Sequence, residues 1–265
     1  MTNTEILRIA MEQSAIDANC APEDFIKSEN VAVISKPHEK ARRYLNLPFF
    51  CDLVSYGRNV VASVDGRVYD FVKQYIDSDR PAHLFETPQI HRLTAEFEQY
   101  GMIPCFMAEY WLPDVAVLRG HSCSFAVHVL ESEDFAGLYL PEWSNALCEK
   151  RKHLDMLAVG AYDGGKLIGL AGCSSDCEAM WQIGVDVLPE YRRHGVAAAL
   201  TSRLAMEAMN RGKVPFYCCA WSNIGSARNA IKSGFRPAWV EHTAIEFERA
   251  AELCGKGAMI RRRSP

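Results

Sequence analysis

Residues 185–200 read VDVLPEYRRHGVAAAL, and they combine an apolar stretch, a turn and a helix-forming stretch. Gly195 and the alanines that follow are small enough to let a ligand approach the backbone. Free amides in the first turn of a helix carry partial positive charge and attract anions such as phosphate. Three cationic side chains stand at the same end, where they oppose the helix dipole: Arg192, Arg193 and His194. The segment favours an anion site over a plain surface turn.

This segment is neither of the two common nucleotide-binding loops. No GK[ST] follows the glycine, so a P-loop is excluded, and no GxGxxG occurs, so a dinucleotide-binding turn is excluded. The predicted anion therefore binds through neither of these two loops.

The ten cysteines are a second set of residues that could do chemistry: 20, 51, 105, 123, 148, 173, 177, 218, 219 and 254. No CxxC spacing occurs, so the usual pattern of a zinc site is absent and no metal site is predicted. Cys218 and Cys219 are adjacent on a predicted strand and should point to opposite faces, which disfavours a bond between them. The pattern favours free thiols that pack as small apolar groups. A thiol redox enzyme that uses this pair is the remaining alternative.

Two motifs resemble the GNAT family of N-acetyltransferases. Residues 192–197, RRHGVA, resemble the family's R/Q-x-x-G-x-G/A motif, placed as in that family between a strand and a helix. Asn223, followed by Gly234-Phe235, resembles the family's N…GF element. The resemblance covers about half of the chain and is closest to bacterial members that carry an extra N-terminal region. It implies the acyl-CoA N-acyltransferase fold.

The resemblance also implies that acetyl-CoA (CoA) is the cofactor. In the family, the strand before the motif splays from its neighbour, and the pantetheine arm pairs with that strand. A free amide near Val187 would then polarise the thioester carbonyl. Asn223 would contact the cofactor arm, although an asparagine here also suits a helix N-cap. The implied cofactor-binding residues are Val185, Asp186, Val187, Arg192, Arg193, His194, Gly195, Val196, Ala197, Ala198, Asn223 and Ser226.

Transfer to an amine requires a base, because an amine with a pKa near 10 is protonated at neutral pH. Asp186 is the first candidate base, since it lies in an apolar strand beside the implied thioester. The alternative is a carboxylate that only accepts structural hydrogen bonds. Glu178, Gln182 and a chain of water molecules are weaker candidates.

One position departs from the family. Seven residues after the asparagine, the family commonly has a tyrosine that protonates the leaving thiolate, and this chain has Ala230. Tyr217, Cys218, Cys219 and Ser226 are the residues that could substitute, with Tyr217 and Cys218 as weak catalytic candidates. A thiolate with a pKa of about 8–9 also leaves without an acid. Acetylation of Cys218 itself is a further alternative to its packing in the core.

The elements that position these residues follow from hydrophobic periodicity and turn residues. In the first half we predict helices at 5–19, 66–76 and 87–100 and strands at 31–35, 60–64, 83–85 and 103–111, with a short helix after Pro22. Residues 36–50 are predicted as a polar link, Thr87 as a helix N-cap, and Gly101 as a left-handed helix stop. In the second half we predict strands at 125–130, 156–162, 166–171, 180–187, 214–221 and 238–247. A helical region starts at 134, and helices follow at 196–210 and 222–232.

This order, together with the resemblance, predicts an α/β (α+β) fold with a mixed, mostly antiparallel central sheet and flanking helices. We expect an accessory α/β domain at 1–120 and the acetyltransferase domain at 121–265. Residues 100–104 and 233–237 have similar patterns, glycine then proline after a helix. They suggest that the N-terminal region is a degenerate half-copy of the fold, although this is also ordinary punctuation after a helix.

The charge balance and the absence of a long apolar run limit the classes of partner that we expect. The 29 Lys and Arg against 33 Asp and Glu give a net charge of −4, which argues against nucleic acid as the main partner. No apolar run reaches a membrane-spanning length of about 18 residues, and the N-terminus does not resemble a secretory signal. These patterns predict a cytoplasmic protein without a membrane partner. The basic tail Arg261–Arg263 is predicted to be solvated.

The function predicted is N-acetyl transfer from acetyl-CoA to a primary amine of a small molecule or peptide, by direct attack. The alternative is a non-catalytic module that binds or senses acyl-CoA, which Ala230 favours. Both a monomer and a homodimer are compatible with the sequence.

Overall fold

A computed structural model describes residues 1–253 of the chain. Cys254 and the basic tail Arg261–Arg263 lie outside the described residues. The backbone divides into two compact units, and each is built from separate stretches of sequence. Unit 1 consists of Met1–Ser14, Lys40–Leu45 and Glu109–Ala238. Unit 2 consists of Ala15–Glu39, Asn46–Ala108 and the described residues from Trp239 onward. The domain boundary at residue 120 stays a prediction.

Six α-helices are described. They are α1 (Asn3–Ala18), α2 (Tyr69–Ile76), α3 (Thr87–Phe97), α4 (Val196–Asn210), α5 (Ile224–Lys232) and α6 (Phe247–Leu253). Short 3₁₀ turns lie at Pro22–Ile26, Gly66–Val68, His83–Phe85, Glu98–Tyr100, Ser132–Phe135, Pro141–Trp143, Glu149–Leu154 and Pro189–Tyr191. No described helix combines the length and the apolar character that crossing a bilayer requires.

Ten strands are described. They are β1 (Val31–Ile34), β2 (Cys51–Ser55), β3 (Val61–Val64), β4 (Met102–Pro113), β5 (Ala126–Glu131), β6 (Asp155–Asp163), β7 (Lys166–Ser174), β8 (Met180–Val187), β9 (Val214–Ala220) and β10 (Phe235–Glu246). In unit 1 the strand order is β4, β9, β8, β7, β6, β5, where β4 contributes its residues from Glu109. In unit 2 the order is β1, β3, β2, β10, β4.

The pairing confirms a mixed and mostly antiparallel sheet with flanking helices. The pairs β5–β6, β6–β7, β7–β8, β2–β3 and β2–β10 are antiparallel, and only β1–β3 and β8–β9 are recorded as parallel among the described residues. The half-copy relation of the N-terminal region stays a prediction.

Unit 1 buries a different cluster on each face of its sheet. On one face α4 packs against the strands, and its Val196, Leu200 and Leu204 join the largest core cluster. The packing is close, because a Cβ at Gly169 of β7 would lie 2.9 Å from a methyl carbon of Val196. On the other face a smaller cluster joins Phe135, Trp143, Ala146, Leu147, Ala158 and Leu170. The sheet is therefore covered on both sides, which its continuous apolar strands require.

Two predictions about local structure were wrong, and one strand was missed. Residues 83–85 form a 3₁₀ turn instead of a strand, because a local bond from the amide of Glu86 to the carbonyl of His83 closes the turn (3.0 Å). Thr87 is the first helical residue rather than the N-cap, which Glu86 occupies without a side-chain bond. Strand β2 was not predicted, since it is buried throughout and lacks the alternation that marks a half-exposed strand.

Candidate functional site

The parallel strands β8 and β9 diverge partway along their length. Their paired positions run from Met180–Val214 to Ile183–Tyr217, and the residues beyond them on the two strands are not paired with each other. On its other side β8 stays paired with β7 as far as Gly169–Val187. The divergence that the resemblance implied is present. It leaves the β8 edge at residues 185–187 without a strand partner toward β9, as an extended ligand would require.

A turn with two left-handed residues joins β8 to α4. Arg193 has φ +66° and Gly195 has φ +79°, and His194 lies between them. The first bond within α4 is donated by the amide of Ala199 to the carbonyl of Gly195 (3.0 Å), so the three preceding helical amides have no intrahelical acceptor. Successive amides in such a turn form a concave site for anions. We call this concave turn, residues 192–198, the cradle. A Cβ at Gly195 would meet nothing nearer than the carbonyl of Ser122 at 3.9 Å, so the cradle is open.

The charge of this cradle comes from exposed cations. Arg192, Arg193 and His194 are exposed, and none of them forms an ion pair with a described carboxylate. The Nε of Arg192 donates to the carbonyl of Val187 (3.1 Å), which ties the turn to the end of β8. Val196 and Ala198 are buried in the core, so they offer the site their backbone amides only. The residues therefore fit a phosphate-bearing group such as the CoA pyrophosphate.

The start of α5 lies after the divergent end of β9. Asn223 is the N-cap of α5, and its Oδ1 accepts the amide of Ser226 (3.1 Å). The amide nitrogen Nδ2 of the same side chain remains as a donor. Asn223 therefore acts as a cap, and its predicted contact with the cofactor stays a prediction that the cap does not prevent.

Tyr217 is buried below α5 and connected to its first turn. Its hydroxyl and the hydroxyl of Ser226 are 2.6 Å apart, and Ser226 is half-buried. Burial raises the pKa of Tyr217, although hydrogen bonds from Ser226 and Asn229 oppose the shift. Ala230 is fully buried in the same core cluster. The position where the family commonly has a tyrosine thus offers no polar group.

Cys218 and Cys219 point to opposite faces, as their adjacency on a strand predicts. Cys219 belongs to the core cluster under α4, and burial raises the pKa of its thiol. Cys218 is half-buried, and its sulfur accepts a hydrogen bond from Nε2 of Gln182 (3.1 Å). Of the two weaker base candidates, Gln182 therefore contacts Cys218 where the strands separate, and Glu178 is exposed.

The nine described cysteines are free thiols. Burial raises the pKa of Cys20 to about 12 and that of Cys51 and Cys173 well above the ordinary value. A raised pKa lowers the thiolate fraction and hence reactivity. No group of three potential metal ligands occurs in residues 1–253.

Asp186 lies on β8, and its carboxylate accepts three hydrogen bonds from residues 145 and 146. Oδ2 accepts the backbone amides of Asn145 (2.9 Å) and Ala146 (3.0 Å), and Oδ1 accepts Nδ2 of Asn145 (2.6 Å). These contacts match the structural alternative for this residue. The role of Asp186 as the base stays a prediction.

Asn145 and two strand glycines, Gly172 and Gly184, were not among the residues predicted for the site. The glycines pair with each other across β7 and β8, and the backbone at 145–146 lies on them. A signal was available, because glycine inside a strand often marks a place where another backbone approaches closely.

Comparisons with known proteins bear on the same segment. Residues 124–235 match the model of the acetyltransferase (GNAT) family. A comparison with curated proteins found no match.

Among solved structures, a protein assigned to the GNAT family from Novosphingobium aromaticivorans is 21% identical, with a TM-score of 0.41 over 54% of this chain and 66% of that one. A GCN5-related N-acetyltransferase-like protein from Streptococcus suis is 19% identical, with a TM-score of 0.42 over 60% and 69%. A protein from Salmonella typhimurium, solved with its cofactor acetyl-CoA, is 17% identical, with a TM-score of 0.34 over 47% and 94%. This chain spans just under two thirds of the length of the first of these structures.

The family match covers the divergence of β8 and β9, the turn before α4 and the cap of α5 in one continuous segment. The similarity to the acetyltransferase (GNAT) family therefore lies in the segment that carries the candidate site, residues 124–235.

Proposed function

We propose that this protein is an N-acetyltransferase that moves an acetyl group from acetyl-CoA to a primary amine by direct attack. The observation that carries the proposal is the divergence of β8 and β9 after Ile183–Tyr217, immediately beside the open cradle at Gly195. A strand edge and a phosphate-binding turn are the two features that an extended, phosphate-bearing cofactor needs.

The residues of the chain divide the work as follows. The amides of residues 193–198 would hold the pyrophosphate, and the exposed Arg192 and Arg193 would add positive charge beside it. The backbone of Val185, Asp186 and Val187 would bond the pantetheine arm. Bound acetyl-CoA would supply the reactive thioester, and an amide at the edge of β8 would polarise its carbonyl.

Proton transfer completes the proposed reaction. The sequence offers Asp186, Glu178, Gln182 or a chain of water molecules as the base, and Tyr217, Cys218, Cys219 or Ser226 as the acid. Ser226 joins the buried hydroxyl of Tyr217 to the half-exposed start of α5. Because a thiolate of pKa about 8–9 is a fair leaving group, turnover without an acid is also compatible with the proposal.

A second candidate is a non-catalytic module that binds or senses acyl-CoA. The fully buried Ala230 favours it, since no hydroxyl stands where the family commonly has one. Both candidates require acetyl-CoA binding, and only the first requires turnover.

The test has a matched pair of variants. Gly195 and Gly212 stand at opposite ends of α4 with similar left-handed backbones (φ +79° and +74°) and open surroundings. Gly195→Glu places a carboxylate in the cradle, and Gly212→Glu places the same strain and charge away from it. We expect Gly195→Glu to abolish acetyl-CoA binding in calorimetry and Gly212→Glu to preserve it.

Turnover separates the two candidates. CoA release, measured by chromatography with a panel of amines and peptides, is expected for the enzyme. Tight acetyl-CoA binding with no release above the hydrolysis background across the panel would support the sensing module. Equal binding of acetyl-CoA by the two glycine variants would reject the cradle as the pyrophosphate site, and a wild-type protein that binds no acetyl-CoA would reject both candidates.

The remaining predictions are part of the same proposal. The acceptor is a small molecule or peptide with a primary amine, the location is cytoplasmic, and the oligomeric state is a monomer or homodimer. Every residue proposed for the cofactor lies within 121–265, the predicted catalytic domain, with 1–120 as an accessory region.

A further inference from the structure

A short segment of unit 1, residues 141–148, lies across the face of the sheet opposite α4. We call it the covering segment. Its Trp143, Ala146 and Leu147 are buried in one cluster with Leu170 of β7 and Ala158 of β6. Hydrophobic contact therefore holds the segment to the sheet.

Two glycines fix the distance of the segment from the strands. A Cβ at Gly184 would lie 1.8 Å from the carbonyl oxygen of Asn145, and a Cβ at Gly172 would lie 2.1 Å from that of Ala146. The two glycines face each other across β7 and β8. Any larger residue at either position would displace the backbone of the covering segment.

Asp186 fixes the same residues laterally. Residues i and i+2 of a strand share a face, so Asp186 lies beside Gly184 on the side of the covering segment. Its carboxylate accepts three hydrogen bonds, two from the backbone amides of Asn145 and Ala146 and one from the side chain of Asn145. Three of about four lone-pair positions are thus occupied, and hydrogen bonds to a carboxylate are stronger than neutral ones.

The covering segment stands where the strands separate. Gly184 is the first residue of β8 beyond its last pair with β9, and Asn145 lies directly on it. Val185 packs with the α4 side of the sheet instead. One face of the divergence at its narrow end is therefore closed by the backbone of Asn145.

We propose that Asp186 is a positioning residue, which together with Gly172 and Gly184 holds Asn145–Ala146 as a rigid wall on the face of the sheet opposite α4. We assign this face to the acceptor because the phosphate-binding turn belongs to α4, which packs on the other face. In this role it does not take the proton of the attacking amine. The inference rests on the proposed function for the meaning of the wall, but the hold on the segment is independent of any substrate.

The test compares two variants that loosen the wall by different routes. Asp186→Asn removes the charge and replaces an acceptor with an amide donor that faces other donors. Gly184→Ala leaves Asp186 intact and pushes the carbonyl of Asn145 away. Gly137→Ala is the matched control, because a Cβ at Gly137 meets nothing within 4 Å.

The first readout is residue-resolved amide exchange at Asn145 and Ala146 in the full chain without ligand. We expect both Asp186→Asn and Gly184→Ala to speed exchange at these amides about tenfold or more, and Gly137→Ala to leave it unchanged. The second readout is kinetic. Both variants should raise the KM for the amine more than the KM for acetyl-CoA, and the pH profile of kcat in Asp186→Asn should keep its wild-type shape.

The result that overturns the proposal is the signature of a base. Asp186→Asn would then leave exchange at 145–146 unchanged and remove the pH-dependent limb of kcat, while Gly184→Ala would turn over normally. Unchanged exchange in both variants also overturns it. Failure of the proposed function has a different signature, since wild-type protein would then bind no acetyl-CoA while the exchange result still reports on the wall.

Discussion

His242 is a buried histidine whose protonation should link the stability of this protein to pH. It lies on β10 in unit 2, only 4% exposed, with its ring centroid 6.5 Å from that of Phe85. Its Nδ1 has no hydrogen-bond partner among the described residues. Burial lowers the pKa of His242 from 6.5 to about 4. The unfolded chain therefore binds a proton near pH 6 that the folded chain does not, and stability falls as the pH drops from about 6.5 to about 4.

We expect His242→Gln to flatten this dependence. Through this residue alone, the wild-type free energy of unfolding should fall by about 3 kcal/mol between pH 7 and pH 4. Urea unfolding at several pH values measures it, with His91→Gln at an exposed position as the control. Parallel pH dependence in wild type and His242→Gln would contradict the assignment.

At the scale of elements, the segments that carry the proposed cofactor site were the most predictable. Strand β8 and helix α4 have the predicted bounds, because an apolar run and a glycine after a charged turn are strong local signals. Strand β2 gives no such signal, since burial on both faces removes the alternation. The contact of Asp186 with Asn145 spans 41 residues, so no local pattern could reveal it. The contact between Asp186 and Asn145 was therefore not predictable from the sequence, whereas the glycine turn before α4 was.

The cap of α5 gives a prediction at this scale. Asn223→Ala removes the acceptor for the amide of Ser226 and should cost about 1 kcal/mol of stability. Asn223→Asp keeps an acceptor and suits the helix dipole, so stability should be kept. Its added charge should nevertheless weaken the binding of acetyl-CoA. Thermal unfolding and calorimetry on both variants measure the two effects, and an Asn223→Asp variant with wild-type affinity would place the cofactor away from this cap.

At the scale of the whole molecule, unit 1 draws on residues far from the family segment. Trp111, 3% exposed, belongs to the same core cluster as α4, and the ring of Tyr110 stacks on that of Phe216 at 6.3 Å. The amide of Asp114 donates to the carbonyl of Gly234 (2.9 Å), and Asn3 donates to the carboxylate of Asp114 (2.8 Å). The resemblance located the family segment but not these contributions, because they carry no family motif.

The predicted boundary at residue 120 can be tested on fragments. We expect residues 121–265 alone to be destabilised relative to unit 1 in the full chain, on the order of the 3–5 kcal/mol that removing a buried tryptophan costs. A fragment from 109 onward restores Trp111 and should recover part of that loss. Urea unfolding of both fragments measures it. A 121–265 fragment as stable as the full chain would establish that boundary as a true domain limit.

Because each unit is built from separate stretches of sequence, the first residues of unit 1 are synthesised long before the last ones. Helix α1 buries Ile6 and Ala10 almost completely, yet unit 1 is complete only when Ala238 has been made. At about 5–20 residues per second, the roughly 220 residues between take on the order of 10–45 s to synthesise. During that interval the apolar face of α1 has no finished core to join. The time needed to synthesise the rest of unit 1 therefore limits how soon the buried side chains of α1 reach their final contacts.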